Sequence, residues 1–355
     1  MEHRRPVLTV PKDLSFDVRS RRSSSSSNNN GSAWKDEKKS SRSLGDDCDH
    51  QENGYGIYLN EDWDSGIGGG LWTTGLALGK YFATSPHFLQ QFRLLRLARR
   101  VWNTNNCCGA TRANGGASTT ATDNQPLRVL ELGSGNGFLG VCLVTAVAVA
   151  AANSGGDADG WPGIEVVVTD TAEHLPLMKK TIDSNLKRIL PQILGDQRKR
   201  SERHHQSTRR RQQQECDDDD DESDPLSVSS SPAPPLPSID TEGIASVREY
   251  LWGEDYDFGG GNGSKHFDLI VGSDVAYRDH LHDPLIAALK EFSPPPPGHP
   301  TVALLGVTMN DTKPVFFEKL ASEGFRYEKL ADHLFGAEFS TCSRQFGVFA
   351  VTRVR

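Results

Sequence analysis

A chain of 355 residues with 36% hydrophobic content suits one large α/β domain diluted by unfolded segments, not a chain packed throughout. Its formal net charge of −8 argues against general nucleic-acid binding through a basic surface. The 6 cysteines, without CxxC spacing, point to a reducing compartment instead of a zinc or disulfide framework. The N-terminal stretch has no apolar signal region, and the longest apolar run, Leu139 to Ala152, is too short for a membrane helix.

Residues 1–50 are rich in Ser, Asn, Arg and Lys and are expected to be a disordered tail, because so little apolar surface cannot offset chain entropy. A single domain over 51–355 then carries two low-complexity insertions, at about 103–125 and 195–240. The second holds a basic tract (Arg198-Lys199-Arg200 and Arg209-Arg210-Arg211) followed by Asp217–Asp221 and a Ser/Pro segment. Its default reading is a solvated insertion; a nuclear import signal and a kinase target near Ser223 are the specific alternatives.

Between these segments strand and helix patterns alternate. Arg128–Leu132 reads as a strand, Phe138–Ala152 as a buried helix and Glu165–Thr169 as a β-branched strand. From Ala172 to about Ile193 an amphipathic helix has Leu175, Met178, Ile182, Leu186 and Ile189 at helical spacing. After the insertion come candidate strands at Val247–Leu251 and Phe267–Gly272, a helix at Asp283–Phe292 and a strand at Thr301–Val307. A helix at Lys313–Glu323, stopped by Gly324, precedes two closing strands at Phe325–Leu330 and Gln345–Val354. The fold class is therefore α/β: a Rossmann-like, seven-stranded, mostly parallel sheet with helices on both faces and an antiparallel terminal hairpin.

The first strand of that series runs into Gly133-x-Gly135-x-Gly137-x-x-Gly140 and then a buried helix. Glycines there permit a tight turn and close approach of a ligand and a helix to the backbone. Dinucleotides and S-adenosylmethionine are both candidates for such a loop. A pyrophosphate wants helix N-terminal N–H groups, whereas S-adenosylmethionine is a sulfonium that acidic Glu131 would suit. Asp170, closing the next strand, would accept hydrogen bonds from ribose hydroxyls of either ligand. Glu131 and the Gly135-Asn136-Gly137 spacing therefore favour S-adenosylmethionine. His174 reads as a surface helix residue.

Five stretches now bear on a family: Gly70–Phe82, Val129–Gly140, Val168–Met178, Leu251–Gly253 and Phe267–Tyr277. In their order and number they resemble the seven-β-strand lysine methyltransferases of the methyltransferase 16 group. The resemblance implies that Trp72 lies beside the cofactor, that Gly133 and Gly135 with the loop backbone hold its methionine portion, that Asp170 holds the ribose and that Trp252 packs on the adenine. Glu131, Gly137 and Ser273 complete the expected cofactor set. Asp274-Val275-Ala276-Tyr277 fits the family's Asp/Glu-x-x-Tyr motif, which makes Asp274 and Tyr277 the candidate catalytic residues. Thr73 departs from the family, which has an acid after the matching tryptophan.

The function implied is methyl transfer from S-adenosylmethionine to a lysine side chain of a protein. A small-molecule amine, a protein arginine or histidine, and a cofactor-binding interaction module without turnover stay open. A protein substrate, no nucleic acid, no membrane, no metal, a monomer, and a cytoplasmic location with the nucleus as a second compartment are the accompanying expectations.

Overall fold

The computed structural model describes residues 6–15, 54–62, 64, 66–107, 126–154, 163–216, 240–256, 266–298, 300–340 and 345–355. Two short strands, β1 (Leu8–Pro11) and β2 (Gly54–Ile57), pair antiparallel. Helices α1 (Thr73–Thr84) and α2 (Pro86–Cys107) follow, then β3 (Leu127–Leu132), α3 (Phe138–Asn153), β4 (Ile164–Asp170) and α4 (Leu175–Cys216). A four-residue turn of helix, α5 (Thr241–Ile244), leads into β5 (Ala245–Glu249) and β6 (Leu269–Ser273). The chain ends with α6 (Asp279–Phe292), β7 (Val302–Thr308), α7 (Pro314–Ser322), β8 (Phe325–Lys329), α8 (Ala337–Ser340) and β9 (Phe346–Arg353).

Strands β3 to β9 form one seven-stranded sheet in the order β5-β4-β3-β6-β7-β9-β8. The first five in that order are parallel; β9 runs antiparallel to both its neighbours. The expected architecture is present, with one refinement. The closing strands do form a hairpin, but the later one, β9, is inserted beside β7 and leaves β8 at the edge.

Alternation along the central strands divides the core. Val129, Val166, Val168 and Val271 face a cluster shared with α1, α3 and α4, while Leu130, Leu132, Val167 and Ile270 face one shared with α6 and α7. Helix α3 is buried from Phe138 through Ala150, which explains why it is apolar on every side.

Three expectations are corrected. Residues 6–15 of the supposed tail are ordered: Val10 and Leu14 are wholly buried and Leu8 nearly so, against the core that includes α1 and α3. The Leu-Thr-Val alternation was enough for one strand, once Gly54–Ile57 supplied its partner. Helix α2 runs on to Cys107, into the stretch expected to be an insertion from about 103; residues 108–125 lie outside the described set. The second correction of this kind is larger: α4 does not stop near Ile193 but continues to Cys216, through Pro191 and the whole basic tract. Arg, Lys, Gln and Glu are good helix formers without any core to face, and Arg198–Glu202 adds an i,i+4 pair at 3.1 Å. Further support comes from the hairpin side, where Asp196 accepts from Tyr55 at 3.0 Å and pairs with Lys12 at 3.2 Å. The acidic run and Ser/Pro segment lie outside the described residues. Among those described, no helix is long and apolar enough to cross a membrane.

Candidate functional site

Strand order creates the site. From β3 the chain winds outward through β4 to β5, then returns to place β6 on the other side of β3. The loops after β3 and β6 therefore diverge, and open parallel sheets bind ligands in the crevice this leaves at the strands' carboxyl ends. A cavity of about 760 Å³ lies there, lined by residues following β3, β4, β5, β6 and β7 and by the segment preceding α1.

One end of the cavity is made by the glycine loop. Gly133, Gly135 and Gly137 all have positive φ, at 62°, 62° and 80°, where a side chain is strained. Space is also short. A Cβ on Gly133 would stand 2.9 Å from Cζ2 of Trp252, and one on Gly135 would collide with the Gly68 carbonyl oxygen. The amide of Asn136 donates to the Gly70 carbonyl at 2.8 Å while its oxygen accepts from the Phe138 N–H at 3.1 Å. Asn136 thereby fastens the segment before α1 to the loop.

The Asp170 carboxylate faces this loop. Oδ2 accepts from the Gly135 N–H at 2.6 Å; Oδ1 bonds to the Thr171 N–H and to His174 Nδ1, each at 2.8 Å. His174 is buried, not on the surface as its sequence position implied, and its ring fills the space where Gly68 has no side chain. Those contacts leave Oδ2 with a lone pair toward the cavity, since a carboxylate offers about four acceptor sites.

This wiring tests which ligand fits. The N–H groups of Gly135 and Phe138 are taken by Asp170 and Asn136, and that of Gly137 bonds to the Ser134 carbonyl at 3.3 Å. A pyrophosphate would meet a carboxylate here in place of free donors, contrary to what phosphate loops provide. A ligand offering a ribose diol and a positive centre, as S-adenosylmethionine does, fits the donor set.

Glu131 takes a different place from the one its charge suggested. It lies beneath the loop, 1% exposed, and is not on the cavity wall. Ser134 Oγ donates to its Oε1 at 2.7 Å, and Gly140 lacks the side chain that would otherwise press on Oε2. Burial pushes its pKa up to about 8, only partly countered by the Ser134 bond. At neutral pH it is mainly a carboxylic acid, so the preference for a cationic ligand rests on Asp170 and the occupied N–H groups. Gly137 too is off the cavity wall; it caps α3.

At the other end, β6 delivers Ser273 and Asp274. Ser273 is partly buried on the wall, its Oγ close to Gly75 of α1. Asp274 has φ 54°, alone among the described non-glycine residues in a positive-φ conformation, a strain of order 1–3 kcal/mol that functional sites retain. Its N–H donates to the Gly306 carbonyl at 2.8 Å. Thr74 Oγ1 donates to Oδ2 and Thr308 Oγ1 to Oδ1, both at 2.5 Å. Burial raises the Asp274 pKa from its ordinary value, with the two threonine bonds opposing it and the charge of Asp311 adding to it. Tyr277 also lines the cavity, with the Arg278 guanidinium 5.7 Å from its ring centre. The carbonyl of Ala276, just before Tyr277, accepts from Thr312 Oγ1 at 3.2 Å and lies 3.1 Å from His282 Nε2.

Trp72 and Trp252 both reach the cavity, Trp72 from the N-cap of α1 and 44% exposed. Thr73 opens α1, is exposed and is off the wall. Sequence reasoning passed over Thr74, Thr308 and Asp311, misread His174 and gave the Asn136 side chain no role. Only Asn136 carried a local signal, a polar residue locked inside a glycine loop.

Residues 51–207 match the family model described as lysine methyltransferase. No curated protein sequence matches the chain. Among solved structures, an O-methyltransferase family protein from Burkholderia thailandensis aligns at 11% identity and TM-score 0.34, over 64% of this chain and 51% of that one. This chain thus spans about half of that protein's length. A TehB-like SAM-dependent methyltransferase from Corynebacterium glutamicum aligns at 12% identity and TM-score 0.32, over 72% and 96%. The precorrin-6y C5,15-methyltransferase of Geobacter metallireducens gives 10% identity and TM-score 0.31, over 65% and 81%. Likenesses this low carry no argument of their own.

Proposed function

We infer that this chain, which over residues 51–207 matches the lysine methyltransferase family model, transfers a methyl group from S-adenosylmethionine to a lysine side chain of a protein. The observation that carries the cofactor half is the Asp170 carboxylate bonded to the Gly135 N–H at the mouth of the sheet crevice. The acceptor half is supported by the family match and by the Asp274–Tyr277 segment on the same cavity.

Bound S-adenosylmethionine supplies an electrophilic methyl group, and in-line displacement needs alignment more than acid–base power. The chain provides that alignment from two sides. Gly133 and Gly135 let the ligand's amino-acid portion approach the backbone, Asp170 Oδ2 takes the ribose, and Trp252 and Trp72 bracket the cavity. Asp274, held by two threonines, and Tyr277 form the wall against which the acceptor amine arrives. The amine must come in neutral to have a lone pair, and a partly desolvated wall favours that form. The reaction is proposed to take place in the cytoplasm, with the basic tract on α4 leaving the nucleus as a second compartment.

The test pairs calorimetric binding of S-adenosylmethionine with transfer of tritiated methyl to proteins of a cell extract. Asp274→Ala should bind the cofactor within about threefold of wild type yet lose about 100-fold or more in transfer. Full transfer by that variant would remove Asp274 from the reaction. Cofactor binding by the wild type without any labelled protein would favour an interaction module instead.

A further inference from the structure

The acceptor end contains a second carboxylate that the sequence motif does not include. Asp311 lies in the turn after β7, three residues beyond Thr308, and lines the cavity. Its N–H donates to the Thr308 carbonyl at 3.1 Å, which ties the turn to the residue that holds Asp274. Its carboxylate is exposed and has no hydrogen bond or ion pair among the described residues. The nearest cation in sequence, Lys313, is engaged by Asp279 at 2.5 Å. Nor does Asp311 cap the next helix: Lys313 is the N-cap of α7, and no side chain caps it.

The contrast with Asp274 is chemical. Each Asp274 oxygen already takes a short hydroxyl bond from a threonine, and the residue is partly buried. The threonine side chains that anchor it occupy one acceptor site on each oxygen. Asp311, whose carboxylate has no bond among the described residues, offers a cationic group on the same wall an acceptor reached without breaking an existing bond.

We propose that Asp311 is the acceptor-docking residue of this site, receiving the ammonium of a primary amine at the exposed edge of the cavity, from which the amine gives up a proton to solvent and meets the Asp274–Tyr277 wall neutral. The proposal rests on the methyl-transfer reading above. In this arrangement Asp274 fixes the wall and Asp311 selects by charge, which disfavours neutral nucleophiles such as hydroxyls.

Two analogues of the methyl donor test it, each with the sulfonium replaced by a tertiary amine that bears a four-carbon arm. One arm ends in ammonium, the other in methyl. Calorimetry on the full chain should show wild type binding the ammonium-armed compound about tenfold tighter than the methyl-armed one. Asp311→Asn should bring that ratio to about one with methyl-armed affinity unchanged, and Asp311→Glu should restore part of it. A wild-type ratio near one, or a preference that survives in Asp311→Asn, overturns the proposal. Wild type that binds neither analogue nor S-adenosylmethionine brings down the methyl-donor reading itself, a failure distinct from loss of the ratio alone. Should Asp311→Asn melt more than a few degrees below wild type, Asp311→Ser repeats the measurement.

Discussion

The two ends of the cavity are built on different plans. At the cofactor end the glycine loop and Asp170 come from one β3–α3–β4 unit, residues 127–170, with Trp72 and Trp252 added from outside, and the unit's backbone donors are consumed internally by Asp170 and Asn136. At the acceptor end the parts come from far apart: Thr74 from α1, Asp274 after β6, Thr308 and Asp311 at and beyond the end of β7. A local unit can be preorganised for one small ligand. A composite wall depends on how α1 docks against the sheet, and can therefore change its acceptor without disturbing the cofactor.

The strongest way to break this contrast is at Gly135. Gly135→Val adds a side chain at positive φ against the Gly68 carbonyl, and should lower S-adenosylmethionine affinity by about 100-fold or more while leaving the circular dichroism of the fold in place. Near-normal calorimetric binding would mean that the loop is not the cofactor cradle.

Glu131 gives a second, intermediate effect, on stability. Its folded pKa of about 8 lies well above that of an unfolded glutamate. Between those two values the native state holds a proton that the unfolded state lacks, so this group's contribution to stability falls as pH rises and levels off only above about pH 8. From pH 5.5 to 7 the loss amounts to roughly 2 kcal/mol. Glu131→Gln keeps the Ser134 contact without titrating, so its denaturation midpoint should decline less than that of wild type over this window. Parallel pH profiles for the two proteins would show that Glu131 is ionised throughout.

The smallest effect probes the composite wall. Thr74→Val removes one hydroxyl from Asp274 without changing side-chain size much, and should lower transfer by about tenfold with cofactor affinity unaltered. An equal fall in cofactor affinity, read by calorimetry, would show that the two ends are not separable.

The same contrast decides what the sequence made legible. Strand β3, the glycine loop, α3 and β4 are local patterns, and each was readable from periodicity, glycine spacing and an acid at a strand end. Asp274 and Tyr277 were readable only through resemblance, because Asp-x-x-Tyr has no periodic signature. Thr74 and Thr308 were not readable at all: threonine is common in helices and strands, and what matters is that the fold brings Thr74 to Asp274 across a sequence separation of 200. His174 was misread because its burial depends on the missing side chain of Gly68, more than 100 residues earlier. Glu131 was identified as important for its charge, whereas burial under the loop leaves it mainly neutral. The long α4 escaped because absence of apolar periodicity is not absence of helix.

The position of β9 has a consequence for how the molecule is made. Strand β8 pairs with β9 and with no other described strand, and β9 also covers the outer edge of β7. During synthesis the parallel half of the sheet is complete well before residues 346–353 emerge, so β7 presents an open edge and β8 waits without a partner. The sheet closes from its last strand inward, and the β7 edge that ends in Thr308 is exposed to mispairing until that late step occurs.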